Sequence, residues 1–117
     1  MGRDLVNRIC AEMPGAERSD PWGGGHDAWK VGGRMFACIG AVMPGVSVKT
    51  RGIEEAEVLI AAGIAARAPY FHRSWVLLPE GTDEGELRLR LGIAYETIRA
   101  GLPRRLRDTL GAAETGG

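Results

Sequence analysis

The sequence predicts an α+β fold: a mainly antiparallel β-sheet with helices packed on it. Two observations carry this. Short apolar or alternating stretches are set between turn signals, while longer stretches repeat apolar residues at helical spacing. Their order along the chain is helix, strands, helix, strand, helices, which suits helices laid on an antiparallel sheet.

Residues 4–13 form the first helix, with Leu5, Val6, Ile9 and Met13 at helical spacing and Pro14-Gly15 as the stop. Residues 19–27, SDPWGGGHD, are a glycine-rich loop. Residues 28–31 and 34–42 then make a hairpin around Gly32-Gly33, which supplies the positive φ that a two-residue turn requires. This register opposes Val31 to Arg34, Lys30 to Met35 and Trp29 to Phe36, so Lys30 and Arg34 emerge on opposite faces. Beyond Arg34 the second strand is apolar on both faces, which predicts a central strand.

Met43-Pro44-Gly45 is a second turn, and residues 46–49 alternate, Val46 and Val48 inward, Ser47 and Lys49 outward. Residues 53–62 form a helix with Ile53, Ala56, Leu59 and Ile60 inward, Glu54, Glu55 and Glu57 outward, and Gly63 as its cap. Residues 64–73 read as irregular. Residues 74–78 are a fourth strand with Trp75 and Leu77 on one face. Asp83 and Glu86 are a start signal for a long helix buried through Leu87, Leu91, Ala94, Tyr95, Ile98 and Leu102. Pro103 opens a last helix that docks Leu106 and Leu110, and the small, polar tail 111–117 is expected to fray.

A chain of 117 residues, 44% apolar and 26% charged, suits one domain spanning residues 1–117. With no long apolar run it is expected to be cytoplasmic, without signal peptide or membrane span. Cys10 and Cys38 sit among apolar neighbours and read as small buried hydrophobes.

The formal net charge is +0, which argues against bulk adhesion to polyanions. That total hides a segregation. Residues 28–51 hold Lys30, Arg34, Lys49 and Arg51 with no acid, and residues 64–79 hold Arg67, His72 and Arg73 with none. The acids gather at Glu54, Glu55 and Glu57 and again from Glu80 to Glu86. Cations on strands discourage edge pairing and acids favour first helical turns. The pattern also suits a cationic surface for an anionic ligand, because screening limits the reach of distant acids to about 8 Å. Trp22, in its loop, reads as exposed and Trp29 as core; Trp75, Tyr70 and Phe71 read either as core or as rings that stack on a ligand.

Catalytic signatures are absent. GGGHD and VGGR lack the Lys-Ser/Thr ending of a phosphate loop. His26 and His72 are too isolated for a zinc set. The Glu54, Glu55 and Glu57 cluster reads as a solvated helix face. No enzyme activity, metal or cofactor is expected.

The segments CAEMPGAE, DPWG, AWKVGGRMFACIG, VSVK, APYFHRSWVLL and AYETIRAGLPRRLRDTL, in that order, resemble the MmcQ/YjbR family over roughly residues 5–110. The resemblance implies a fold like that of CyaY, the bacterial frataxin, also described as a double wing. It also implies DNA binding. Iron binding, suggested by the frataxin likeness, would want a dense acidic first helix, and only Asp4 and Glu12 stand there.

The expectation that follows is a weak, largely non-specific DNA- or nucleic-acid-binding module. Lys30, Arg34, Lys49, Arg51 and Arg73 would contact phosphates, with Trp22 or His72 near a base or sugar. Four engaged cations on a duplex would give a log–log salt slope of about −3.6. The alternative is a protein-interaction or small-anion-binding domain with no nucleic-acid role. The chain is expected to be a monomer or a weak homodimer.

Overall fold

The computed structural model describes residues 2–114, with side chains described through 110. It is an α+β fold: four helices lie with one six-stranded, wholly antiparallel sheet. The elements run α1 (Arg3–Ala11), β1 (Ala16–Ser19), β2 (Asp27–Val31), β3 (Arg34–Ile39), β4 (Val46–Lys49), α2 (Ile53–Ala61), β5 (Ala66–Arg67), β6 (Trp75–Leu78), α3 (Glu84–Ala100) and α4 (Arg104–Glu114). Strand order across the sheet is β1-β2-β3-β4-β6-β5.

The four strands read from the sequence occupy the middle of this sheet. Two short edge strands flank them: β5 lies in chain expected to be irregular, and β1 ends at Ser19, where the glycine-rich loop was expected to begin. Both are largely exposed, so neither shows a buried face in its sequence.

One face of the sheet packs against helices. Trp29, Val31, Ala37, Ile39, Val46, Val48, Val76 and Leu78 meet Leu5, Val6, Ile9, Ala56, Leu59, Leu87, Leu91, Ala94 and Tyr95 in a single core. Asp83 caps α3 by accepting from the Glu86 amide at 3.1 Å, which confirms the start signal. Ile60 and Leu106, read as inward, are partly exposed instead, at 37% and 38%. Both helices bury a narrower stripe than their apolar residues suggest. Helix α4 continues through Glu114, past the expected start of the tail, and residues 115–117 lie outside the described residues.

The hairpin forms on Gly32-Gly33 with Val31 opposite Arg34 and Lys30 opposite Met35, as the register required. Trp29, however, faces Ala37 rather than Phe36, because a bulge interrupts the pairing between Trp29 and Lys30. Phe36 is the extra residue. It packs edge-on to Tyr95 of α3, ring centroids 5.6 Å apart, while Ala37 and Ile39 also reach the core. The apolar run in β3 is therefore a strand that changes phase at a bulge.

Helix α1 is fastened to the end of the sheet by Arg3. Its guanidinium donates to Gly25 O at 3.0 Å, to Gly40 O at 2.7 Å and to Asp27 Oδ2 at 2.7 Å. Among the described residues, no helix is long and apolar enough to cross a membrane.

Candidate functional site

The second face of the sheet carries no helix. Its side chains follow from strand alternation and the observed pairing: Glu17, Ala28, Lys30, Met35, Cys38, Ser47, Lys49, Trp75 and Leu77. Chain from residues 20–26, 40–45 and 69–71 borders this face and encloses a cleft of about 710 Å³. Cys38, Ser47 and Leu77 form its floor, and Trp22, His26, Met43, Tyr70 and Phe71 line its sides. Among the described residues, no Asp, Glu, Lys or Arg lines it.

The rim is built by local hydrogen bonding. Asp20 accepts from the Gly24, Gly25 and His26 amides at 3.3, 2.9 and 3.2 Å and so closes the glycine-rich loop. Those bonds, that of Gly25 foremost, hold its carboxyl below the usual carboxylate range. Trp22 then stands edge-on to His26, centroids 4.9 Å apart. Across the cleft Phe71 stacks on Trp75 at 4.5 Å and 19°. Tyr70 is fully exposed, and with φ 72° it is the one non-glycine residue in the left-handed region among those described. Neither Tyr70 nor Phe71 joins the core, so the reading of these two rings as core plugs is set aside.

Beyond the Phe71–Trp75 stack lies a polar cluster. Lys49 Nζ donates to Ser74 Oγ at 2.8 Å, and Ser74 Oγ is 2.9 Å from His72 Nδ1. The Ser74 amide donates to that same Nδ1 at 3.1 Å, which puts the ring proton of neutral His72 on Nε2. Thr50 Oγ1 donates to Ser74 O at 2.6 Å and locks β4 to the start of β6. Burial lowers the Lys49 pKa, and the charge of Glu55 partly opposes that. Ser74 is only 4% exposed. Its hydroxyl is held inside the network, and the cluster orients Lys49 and His72.

The seven residues singled out in the sequence thus separate. Lys49 and His72 meet through Ser74. Lys30 shares their face two strands away, and Trp22 stands at the cleft. Arg34 lies on the helix-bearing face, opposite Val31. Arg51 is paired with Glu55 at 2.8 Å and Arg73 with Glu57 at 3.4 Å, both acids from α2. No single wall collects all five cations. Tyr70 and Phe71 take the ligand-stacking place that is one of their two readings, whereas Ser47 and Ser74 join the site only through pairing between β4 and β6 and the turn before β6, which sequence spacing does not convey. Among the described residues, no group of three or more His, Cys, Asp or Glu is arranged to hold a metal ion. Both cysteines are free and buried, and burial pushes the Cys10 thiol up to about 12.

A family model described as YjbR matches residues 11–97. The crystal structure of Deinococcus radiodurans protein DR2400, which carries a DUF419 domain, is similar to this chain with a TM-score of 0.80 and 22% identity. The likeness covers 92% of this chain and 86% of that one, and it shows the shared fold. No curated protein matches the sequence.

Proposed function

The chain belongs to the YjbR family, and from that premise we propose that it is a non-catalytic nucleic-acid-binding module that takes a single strand on the helix-free face of its sheet. The observation that carries this reading is the company Lys30 and Lys49 keep. Among the described residues neither is in an ion pair, though Glu17 stands opposite Lys30 in the register; both project from this face, and an aromatic cleft lined by no Asp, Glu, Lys or Arg among those residues opens beside Lys49. A sheet face that offers cations for phosphates and rings for bases suits an unpaired strand, whose bases are free to stack. A duplex would want a broader cationic wall than two lysines supply. The contacts are to backbone and ring faces, so binding is weak and largely indifferent to sequence. One strand on one face requires only a monomer, and a cytoplasmic location would give it nucleic acid to bind.

The test is fluorescence anisotropy of a labelled single-stranded octamer at several salt concentrations. Two phosphate contacts on a single strand give a log–log slope of about −1.4. No binding at low salt, or a flat slope, rejects the reading. A second reading, a protein-interaction domain, is favoured by the apolar rim, where Val42 is 92% and Met43 43% exposed. A protein partner retained alongside an absent octamer signal would decide for it.

A further inference from the structure

We propose that the cleft floored by Cys38, Ser47 and Leu77 is a pocket for one unstacked nucleobase of the bound strand. This rests on the single-strand reading above and goes beyond it, since phosphate contacts alone would need no cleft.

Three features of the molecule argue for that occupant. The first is charge. Among the described residues the lining holds no Asp, Glu, Lys or Arg, with the Asp20 carboxylate 3.8 Å from His26 Nδ1 in the bordering loop, yet Lys49 stands on the same face two residues along β4 from Ser47, about 7 Å away by strand geometry. A neutral site beside a cation matches a ligand with a neutral head tethered to an anion. A base joined through its sugar to a phosphate has that form, whereas an acidic peptide would leave its charge over the uncharged cleft.

The second is shape and chemistry. Trp22 on one side and Phe71 on the other bring aromatic rings to the cleft, and Phe71 is itself braced by Trp75. Every base has a π-face to set against such rings, and its polar edge needs a small number of partners. Ser47 on the floor, His26 on the side and the Tyr70 hydroxyl at the mouth are polar groups available to that edge.

The third is Tyr70. A bulky residue at φ 72° is costly, and such conformers persist where the surrounding chain imposes them, often beside bound ligands. Here the strained residue displays a fully exposed ring at the mouth of the cleft. That ring would cover a base held against Phe71.

The experiment compares a single-stranded octamer of thymidines with an octamer of the same sugar-phosphate backbone lacking all bases. Both are titrated at low salt against the wild-type chain, Trp22→Ala and Trp22→Phe. The expected result is about tenfold tighter binding of the thymidine octamer by wild type. Trp22→Ala should reduce that preference to about threefold or less, Trp22→Phe should restore most of it, and the base-free octamer should bind all three alike. Trp22 is 56% exposed, so its truncation leaves the core intact. Equal binding of the two octamers by wild type overturns the base pocket while leaving a phosphate-binding face. A preference unchanged in Trp22→Ala overturns the assignment to this cleft. Binding of neither octamer overturns the single-strand reading and the pocket together.

Discussion

Asp27 joins three elements through one carboxylate. Its Oδ2 accepts from Arg3 at 2.7 Å and from Asn7 at 3.0 Å, both on α1, and its Oδ1 lies 3.9 Å from Arg18 Nε on β1. Asn7 also accepts from the Trp29 indole at 2.8 Å, so the chain of bonds runs on into the core. Burial pushes the Asp27 pKa up, but the hydrogen bonds from Asn7 and Arg3 and the charges of Arg3 and Arg18 outweigh it, and the net shift is downward. A carboxylate with a lowered folded pKa contributes stability that is fully present above its unfolded value, about 3.9, and is lost as pH falls through the lowered one. Urea midpoints measured from pH 7 to pH 2 should therefore drop for wild type below about pH 4. Asp27→Asn should lose about 1–3 kcal/mol at pH 7 and show a shallower decline over the acid window. Sequence alone shows Asp27 only as the neighbour of His26, because its partners on α1 are at least twenty residues away. Arg51, read from the sequence as a phosphate contact, is instead paired with Glu55 four residues on, a local contact that the charge blocks did not bring out.

Individual elements differ in how openly the sequence declares them. Helix α3 announces itself by a cap and a long apolar stripe, and the β2–β3 hairpin by two glycines between apolar runs. The bulge in β3 does not, because Met35 to Ile39 is apolar throughout and leaves no polar residue to mark the change of phase. Edge strands β1 and β5 are silent for the opposite reason: little of either is buried. The turns permit a sharper test. Gly45 has φ 95°, and a Cβ there would lie 2.4 Å from Leu78 O, whereas Gly33 has φ 82° and open space around it. Gly33→Ala meets only the backbone penalty, about 1–2 kcal/mol. Gly45→Ala adds a clash with main chain that cannot move without breaking the β4–β6 pairing, and should cost clearly more. Urea denaturation of the two variants gives the comparison, and equal losses would contradict this account of Gly45.

Across the whole molecule, neutrality is an average over two unlike sides. The acids of α2 and of the α3 start belong to the helix layer, where Glu55 and Glu86 are engaged by Arg90 and Glu84 by Arg88. The far side of the sheet carries Lys30 and Lys49, neither in an ion pair among the described residues, with Glu17 opposite Lys30 as its acid. Composition could report only the sum, and a sum says nothing about which face a charge occupies. The arrangement predicts a directional response to charge reversal. Lys30→Glu with Lys49→Glu should weaken octamer binding at low salt by about tenfold or more and flatten the salt slope towards zero, since each lost contact removes about 0.7 from it. Arg34→Glu, on the other face, should leave both nearly unchanged. Anisotropy at matched ionic strength measures the difference, and an equal effect of Arg34→Glu would place the strand elsewhere.

The Arg3 guanidinium reaches from the helix layer to Gly25 and Gly40, and Gly40 also lines the cleft on the reverse side. The first turn of the chain thus acts as a strut for the wall of a receptor it does not itself enter. Losing that guanidinium would loosen the wall while leaving every side chain that lines the cleft in place.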